Sequence, residues 1–290
     1  RTKVPDVPGL LDAGFHTTED FFEITELPKS MMILGGGYKA CELGMFLASF
    51  GCRTTIIGRN SRLLKNEEPE ISDIVLRKSR EYMDVLVNMD VTSVRTENGE
   101  KVAVCRDRAG GAVREVRAET ILVATGVQSN ADWLRPQSSG IALTKDNYIV
   151  VDKYLETNVP GIFAIGDIIG RTMFRHTANY HSELVWYNMF GGKRVELDEH
   201  AVPHAVFGYP EVGSVGLTQE ECKKLGYKVL VGISEYIDCA KGYALAEEEG
   251  LVKVIVDQGS RRILGAHIVG TSASILVQQI VYLMNSGDQT

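Results

Sequence analysis

The 290 residues predict an α/β protein, and three observations carry that expectation. An apolar run, MMIL at residues 31–34, passes directly into three glycines. A helix-like stretch follows to about residue 50, and a β-branched run, RTTIIG, comes next at residues 53–58. Strand, turn, helix and strand in that order make one βαβ unit of the Rossmann-like kind. Downstream the periodicity changes twice, first to short alternating runs and then to strands that cluster ahead of a helix. An antiparallel meander and a separate α+β domain are therefore expected beside the first unit.

Taken in order, the first 28 residues carry three prolines and few periodic positions, which suits a connector crossing a surface. A strand begins near Ser30, and a helix runs from about Tyr38 to Phe50. A second helix is expected from Glu70 to about Tyr82, where Ile71, Ile74, Val75 and Lys78 recur at three- and four-residue steps. From Val85 to Val123, hairpin signals at Asn98-Gly99 and Gly110-Gly111 divide alternating runs, and TILVATG closes that stretch as a buried strand. YIVVD (148–152) and GIFAIGD (161–167) read as further strands, with a helix from about Phe174 to Phe190. Beyond Pro203 come HAVF, GSVGL, a helix capped at Thr218 with Glu221 three residues on, the strands KVLVGISEY, GLVKVIVD and ILGAHIVG, and a closing helix through Met284.

Length suggests two domains at a prior of roughly 150 residues each. With 31 Lys and Arg against 38 Asp and Glu the net charge is -7. No basic run is long enough to track a nucleic-acid backbone, so nucleic acid is not an expected partner. The longest apolar stretches fall short of the ~18 residues that span a bilayer, and RTKVPDVPGL lacks a signal peptide's apolar core, so a cytoplasmic setting is expected. Five scattered cysteines offer neither a C-x-x-C pair nor metal-like spacing and read as buried free thiols, with no metal site expected.

The chemistry lies in the glycine turn. A dinucleotide site needs a tight turn, a residue without side chain where backbone approaches pyrophosphate, and a small residue where helix meets strand; Gly35, Gly37 and Ala40 occupy those places. The helix that opens there aims its free N–H groups and positive dipole end at the phosphates. Past the second strand, an acid would favour NAD and a cation NADP. The sequence gives Arg59, then Arg62 and Lys65, with no acid until Glu67, which favours NADP over NAD.

The segments GGGYKACELGMFLASFG, ILVATGVQSN, TNVPGIFAIGD and AVFGYPEVGSVGLT together resemble the FAD-dependent pyridine nucleotide–disulfide oxidoreductases. That family includes dihydrolipoamide dehydrogenase, glutathione reductase, mycothione reductase and mercuric reductase. The run RHTANYHSELVWYNMFGG resembles most the mycothione reductase and dihydrolipoamide dehydrogenase branches. The resemblance implies a connector from an FAD domain at 1–28, an NAD(P)-binding domain at 29–148, a returning segment of the FAD domain at 149–200 and a dimerisation domain at 201–290. It implies that Asp167 holds the ribityl chain of FAD, with Gly166 allowing close approach, and that the helix beginning near Phe174, His176 and Ala178 points its amides at the flavin. It likewise implies that Tyr38 lies over the flavin and that Glu42 sits near the nicotinamide carboxamide, while Gly126 ends a cofactor-binding motif. Lys39 departs from the family, where an apolar residue is usual.

The implied activity is hydride transfer between NAD(P)H and FAD and on to a small disulfide or dithiol, in a homodimer. The family's remaining machinery is not in these residues: no two cysteines have C-x-x-x-x-C spacing, no His-Pro dipeptide occurs, and no N-terminal glycine motif for FAD is present. The sequence breaks off at Asp288-Gln289-Thr290 and reads as a truncated member, inactive alone, that binds FAD only with its missing N-terminal segment. A non-catalytic NAD(P)-binding dimerisation module, a mercuric reductase-like enzyme and a single-cysteine peroxide or coenzyme A disulfide reductase stay open as alternatives.

Overall fold

A parallel sheet forms where the sequence places its apolar runs. The computed structural model describes residues 1–286; residues 287–290, on which the expected break at Asp288-Gln289-Thr290 falls, lie outside the described residues. The chain divides into two units, one formed by residues 2–126 with those from 203 onward, the other by Arg1 with Val127–Val202.

In the larger unit, α1 (Leu10–Ala13) and β1 (His16–Thr17) precede β2 (Ser30–Leu34), α2 (Tyr38–Ser49), β3 (Arg53–Ile57), α3 (Pro69–Ser79) and β4 (Asp84–Leu86). Next come β5 (Met89–Glu97), β6 (Glu100–Asp107), β7 (Val113–Ala118) and β8 (Thr120–Val123). The parallel sheet runs β1-β8-β2-β3-β4. Every residue of β2 is buried, as a strand covered on both faces requires. α2 lays Ala40, Cys41, Gly44 and Leu47 into the core. The meander β5-β6-β7 is antiparallel, and Asn98 and Gly99 close its first hairpin, both at positive φ. The stretch expected to be a bare connector contributes more: β1 pairs with β8 through His16↔Leu122 and Thr17↔Val123 and so edges the parallel sheet. Two residues are too few to show a period in sequence.

In the smaller unit, α4 (Ala131–Leu134) and α5 (Arg175–Phe190) are joined by turns and by short 3-10 segments at Pro136–Ser139 and Gly166–Ile169. The strands expected at 148–152 and 161–167 are not ladders. They form only the isolated bridges Leu143↔Ile149, Val151↔Thr157 and Glu156↔Phe163. Their apolar residues instead bury Ile149 and Ala164 against Leu155, Ile169 and Leu184, a cluster that satisfies the hydrophobic pattern without a partner strand.

The larger unit resumes with β9 (Pro203–Val206), β10 (Val212–Gly216), α6 (Gln219–Lys224), β11 (Val229–Glu235), α7 (Ala240–Ala244), β12 (Leu251–Asp257), β13 (Ile263–Val269) and α8 (Ala273–Asn285). The strands make an antiparallel sheet in the order β11-β12-β13-β10-β9. α8 buries Ala273, Val277, Val281 and Met284, one stripe at four- and three-residue spacing. Thr218 and Glu221 close the anticipated capping box at the start of α6. Among the described residues no helix is long and apolar enough to cross a membrane.

Candidate functional site

The C-terminal edge of β2 and β8 carries the glycine turn. Gly35 sits at φ +133°, and a Cβ there would lie 2.3 Å from the Ala124 carbonyl oxygen at the end of β8. No residue with a side chain fits. Gly37, at the N-cap of α2, is different: its backbone is extended, and a Cβ would meet nothing within 4 Å. That open space lies in front of the first turn of α2, whose leading amides have no partner within the helix. No side chain caps it. Ala40 is fully buried at the helix–sheet contact. Gly126, at φ +117°, ends the neighbouring strand exit, where its carbonyl accepts the Lys3 amide at 2.9 Å. The structure therefore brings Gly35, Gly37, Ala40 and Gly126 to the C-terminal ends of the neighbouring parallel strands β2 and β8. Open α/β sheets bind ligands at such a place.

The loop after β3 carries the three cations. The Leu64 amide donates to the Gly36 carbonyl at 2.8 Å, which ties this loop to the glycine turn. Arg59 pairs with Asp90 at 3.2 Å and Arg62 with Asp73 at 3.0 Å, while Lys65 is exposed. Arg108, which sequence reasoning passed over, pairs with Asp90 at 3.3 Å and donates to the Arg59 carbonyl at 3.2 Å. It comes from the β6–β7 turn, and nothing local in sequence links that turn to the β3 loop.

Glu42 is half-buried in α2 and accepts the Phe207 amide at 2.8 Å. Burial pushes its carboxyl up, against the opposing pull of the Phe207 amide and the Lys39 charge. Tyr38 opens α2 and is partly exposed. Lys39, the residue that departs from the family pattern, reaches Thr18 Oγ1 at 3.2 Å.

In the smaller unit, Gly166 adopts φ +69°, and a Cβ there would come within 3.2 Å of the Ala178 Cβ, so a tight turn packs on α5. Asp167 follows, exposed, in the same 3-10 turn. Phe174 is the N-cap of α5, and its ring stacks on that of His176 at 5.5 Å. The Thr177 hydroxyl, buried in the first turn of α5, has no hydrogen-bond partner among the described residues. His181 was missed in sequence. It is fully buried, accepts the Gly166 amide on Nδ1 at 3.2 Å and meets Glu199 through Nε2 at 3.3 Å, so the turn before Asp167 is held by a side chain. A histidine five residues beyond His176 carries no separate signal in the pattern.

Four cysteines, Cys41, Cys52, Cys105 and Cys222, are buried as expected, but Cys239 is exposed; all five are free. Among the described residues no group of three or more His, Cys, Asp and Glu is arranged to hold a metal ion.

Comparison with known proteins gives a consistent result. The family model described as pyridine nucleotide-disulphide oxidoreductase matches residues 1–182, and that described as its dimerisation domain matches residues 202–289. The chain is 33% identical over 287 residues to mycothione reductase of Mycobacterium tuberculosis, covering 97% of this chain and 61% of that protein. It is 32% identical to dihydrolipoyl dehydrogenase of Chlorobaculum tepidum, covering 94% and 59%. Among solved structures, an HOCl-induced flavoprotein disulfide reductase from Escherichia coli superposes with a TM-score of 0.87 at 26% identity, covering 99% of this chain and 65% of that one. The chain thus spans about three fifths of the length of these relatives.

Proposed function

Because the chain belongs to the pyridine nucleotide-disulphide oxidoreductase family, we propose that it supplies the nucleotide-binding and dimerisation parts of an enzyme that passes a hydride between NAD(P)H and FAD and on to a small disulfide or dithiol. The proposed substrate class is that of mycothione reductase or dihydrolipoyl dehydrogenase. Residues 29–148 take the nucleotide, 149–200 the flavin side and 201–290 the homodimer contact. The observation that carries this reading is the open Gly37 at the head of α2, beside a Gly35 that tolerates no side chain.

The residues fit a dinucleotide. Amides at the start of α2 offer donors to the pyrophosphate, and Gly37 puts no atom in its way. Arg59, Arg62 and Lys65 take the ribose 2′-phosphate of NADP. The carboxylates of Asp90 and Asp73 are displaced at little cost, since exposed ion pairs are worth about 0–1 kcal/mol each. Glu42 and Tyr38 flank the nicotinamide end.

FAD fits the smaller unit on the evidence of an exposed Asp167, a side-chain-free Gly166 and a buried Thr177 hydroxyl that lacks a partner. Asp167 would hold the ribityl chain, with the first turn of α5, including His176 and Ala178, toward the ring. When bound, FAD accepts a hydride and releases electrons singly or in pairs. His181, with its tautomer fixed by the Gly166 amide, holds the turn that presents Asp167. Electrostatic help comes from the positive end of α5, a 16-residue helix whose N-cap is Phe174.

Since no two cysteines in the chain have dithiol spacing, these residues alone bind the nucleotide without turning over a disulfide. Calorimetric titration with NADPH and NADH tests the assignment. NADPH is expected to bind more tightly, and absence of heat with both nucleotides overturns it.

A further inference from the structure

The ribose-facing loop is held from both ends, and its far end is held by the antiparallel sheet. Leu63 and Leu64 bury between the loop and the core, the Glu67 amide donates to the Leu64 carbonyl at 2.8 Å, and Ser72 Oγ donates to that same carbonyl at 3.0 Å. Immediately beyond, Glu67 turns its carboxylate into the other half of the unit. There Oε1 meets His204 Nε2 of β9 at 2.6 Å, and Oε2 accepts from Ser214 Oγ of β10 at 2.6 Å. Its neighbour Glu68, also buried, accepts the Gln219 amide and the Lys253 ammonium of β12, the latter at 2.8 Å. Lys253 reaches Glu70 as well, at 3.0 Å. His267 of β13 lies 3.9 Å from Glu68 and donates from Nε2 to the Leu217 carbonyl at 3.1 Å.

We propose that Glu67 is a positioning residue for the coenzyme's adenosine-ribose end, and that its bonds to His204 and Ser214 let the dimerisation half of the chain set nucleotide affinity. This rests on the assignment of the Arg59 loop to the ribose phosphate. Three features support it beyond ordinary domain docking. The pinned residue is two residues from Lys65 and is bonded through the backbone to Leu64, which is itself bonded to Gly36. Both Glu67 oxygens are used, so the carboxylate has one orientation. The same halves also meet elsewhere, at Arg77–Glu249 on the exposed side of α3 at 2.8 Å, far along the helix from the loop. The two contacts can therefore be cut separately.

Protonation state enters through His204. The charged groups around it are Glu67 and Glu68 from the loop, Lys253 from β12 and His267 from β13. Burial pulls His204 down, but the hydrogen bond and charge of Glu67 outweigh it and hold the imidazole above its ordinary value. Burial pushes Glu67 up, but His204, Ser214 and the charge of His267 bring it below the ordinary carboxylate range. The charged form of the pair therefore weakens as pH rises through the elevated His204 value.

The test uses the intact protein, with NADPH and NADH affinities measured by fluorescence titration for wild type, Glu67→Gln, Ser214→Ala, His204→Gln and Arg77→Ala. Glu67→Gln is expected to weaken binding of the preferred nucleotide about fivefold to tenfold. Ser214→Ala, the mildest change and the one least able to disturb folding, should shift affinity in the same direction by about twofold to threefold. Arg77→Ala should leave it unchanged. Wild-type affinity is expected to fall as pH rises above 6.5, a step absent in His204→Gln. Unchanged affinity in both Glu67→Gln and Ser214→Ala overturns the proposal, as does an equal loss in Arg77→Ala. If wild type prefers NADH, the ribose-phosphate assignment fails on its own, and the positioning role is still decided by whether Glu67→Gln weakens NADH.

Discussion

The two units solve the same problem in different ways. In the larger unit, buried apolar runs are paired edge to edge: β2 lies between β3 and β8, with Ser30–Leu34 in register on β3 and Met31–Leu34 on β8, and the glycine turn is placed by backbone alone. In the smaller unit, equally apolar runs make single bridges, and the turn before Asp167 is placed by a buried side chain, His181, and by Glu199 behind it. A site held by a ladder depends on excluded volume at its glycines. A site held by a histidine and a carboxylate depends on one hydrogen-bonded chain.

That contrast can be broken most forcefully at the seam inside the larger unit. Lys253→Met leaves Glu68, 2% exposed at its side chain, without its cation, and should cost about 3–5 kcal/mol in urea unfolding. A loss under ~1 kcal/mol would show that the seam is not held by charge. Next in size, Gly35→Ala must overcome both a left-handed backbone and the Ala124 carbonyl, and about 3 kcal/mol of destabilisation is expected. Gly166→Ala in the smaller unit meets only the Ala178 methyl group, and about 1–2 kcal/mol is expected. Equal costs at the two glycines would erase the difference between a rigid edge and a yielding turn.

The smallest effect is on acidification. Burial holds His267 below its ordinary 6.5, so its contribution to stability is present above that value and is lost as pH falls through its depressed value. Glu67, held below its ordinary 4.5, follows at lower pH. His204 is shifted the other way, so its contribution is full below 6.5 and declines as pH rises past its raised value. Urea midpoints measured against pH should therefore fall on the acid side of 6.5, and Glu67→Gln should flatten the lower part of that decline.

Sequence made the larger unit legible because its signals are local. MMIL before glycines, β-branched residues in β3, Asn98-Gly99 between alternating runs and the Thr218–Glu221 box each encode an element within a few residues. The smaller unit misled for a physical reason. YIVVD and GIFAIGD have the composition of strands, but a strand exists only if another supplies its bonds, and composition says nothing of that. The candidate site divides likewise. The glycines and the Arg59 loop follow from a spacing rule, whereas Arg108, His181 and the His204–Glu67 pair join residues from 15 to 137 positions apart, and their meeting is a product of the fold.

The burial of four thiols has a practical side. Burial and the Glu42 charge push Cys41 up to about 12, and burial pushes Cys105 up to about 11 against the pull of Arg114. At neutral pH Cys41 is then thiolate in roughly one molecule in 10⁵. Cys52 and Cys222 are raised for the same first cause. Cys239, just ahead of α7, is the one exposed cysteine. A maleimide dye will attach there and almost nowhere else, which makes the unaltered chain its own single-site reporter for assembly.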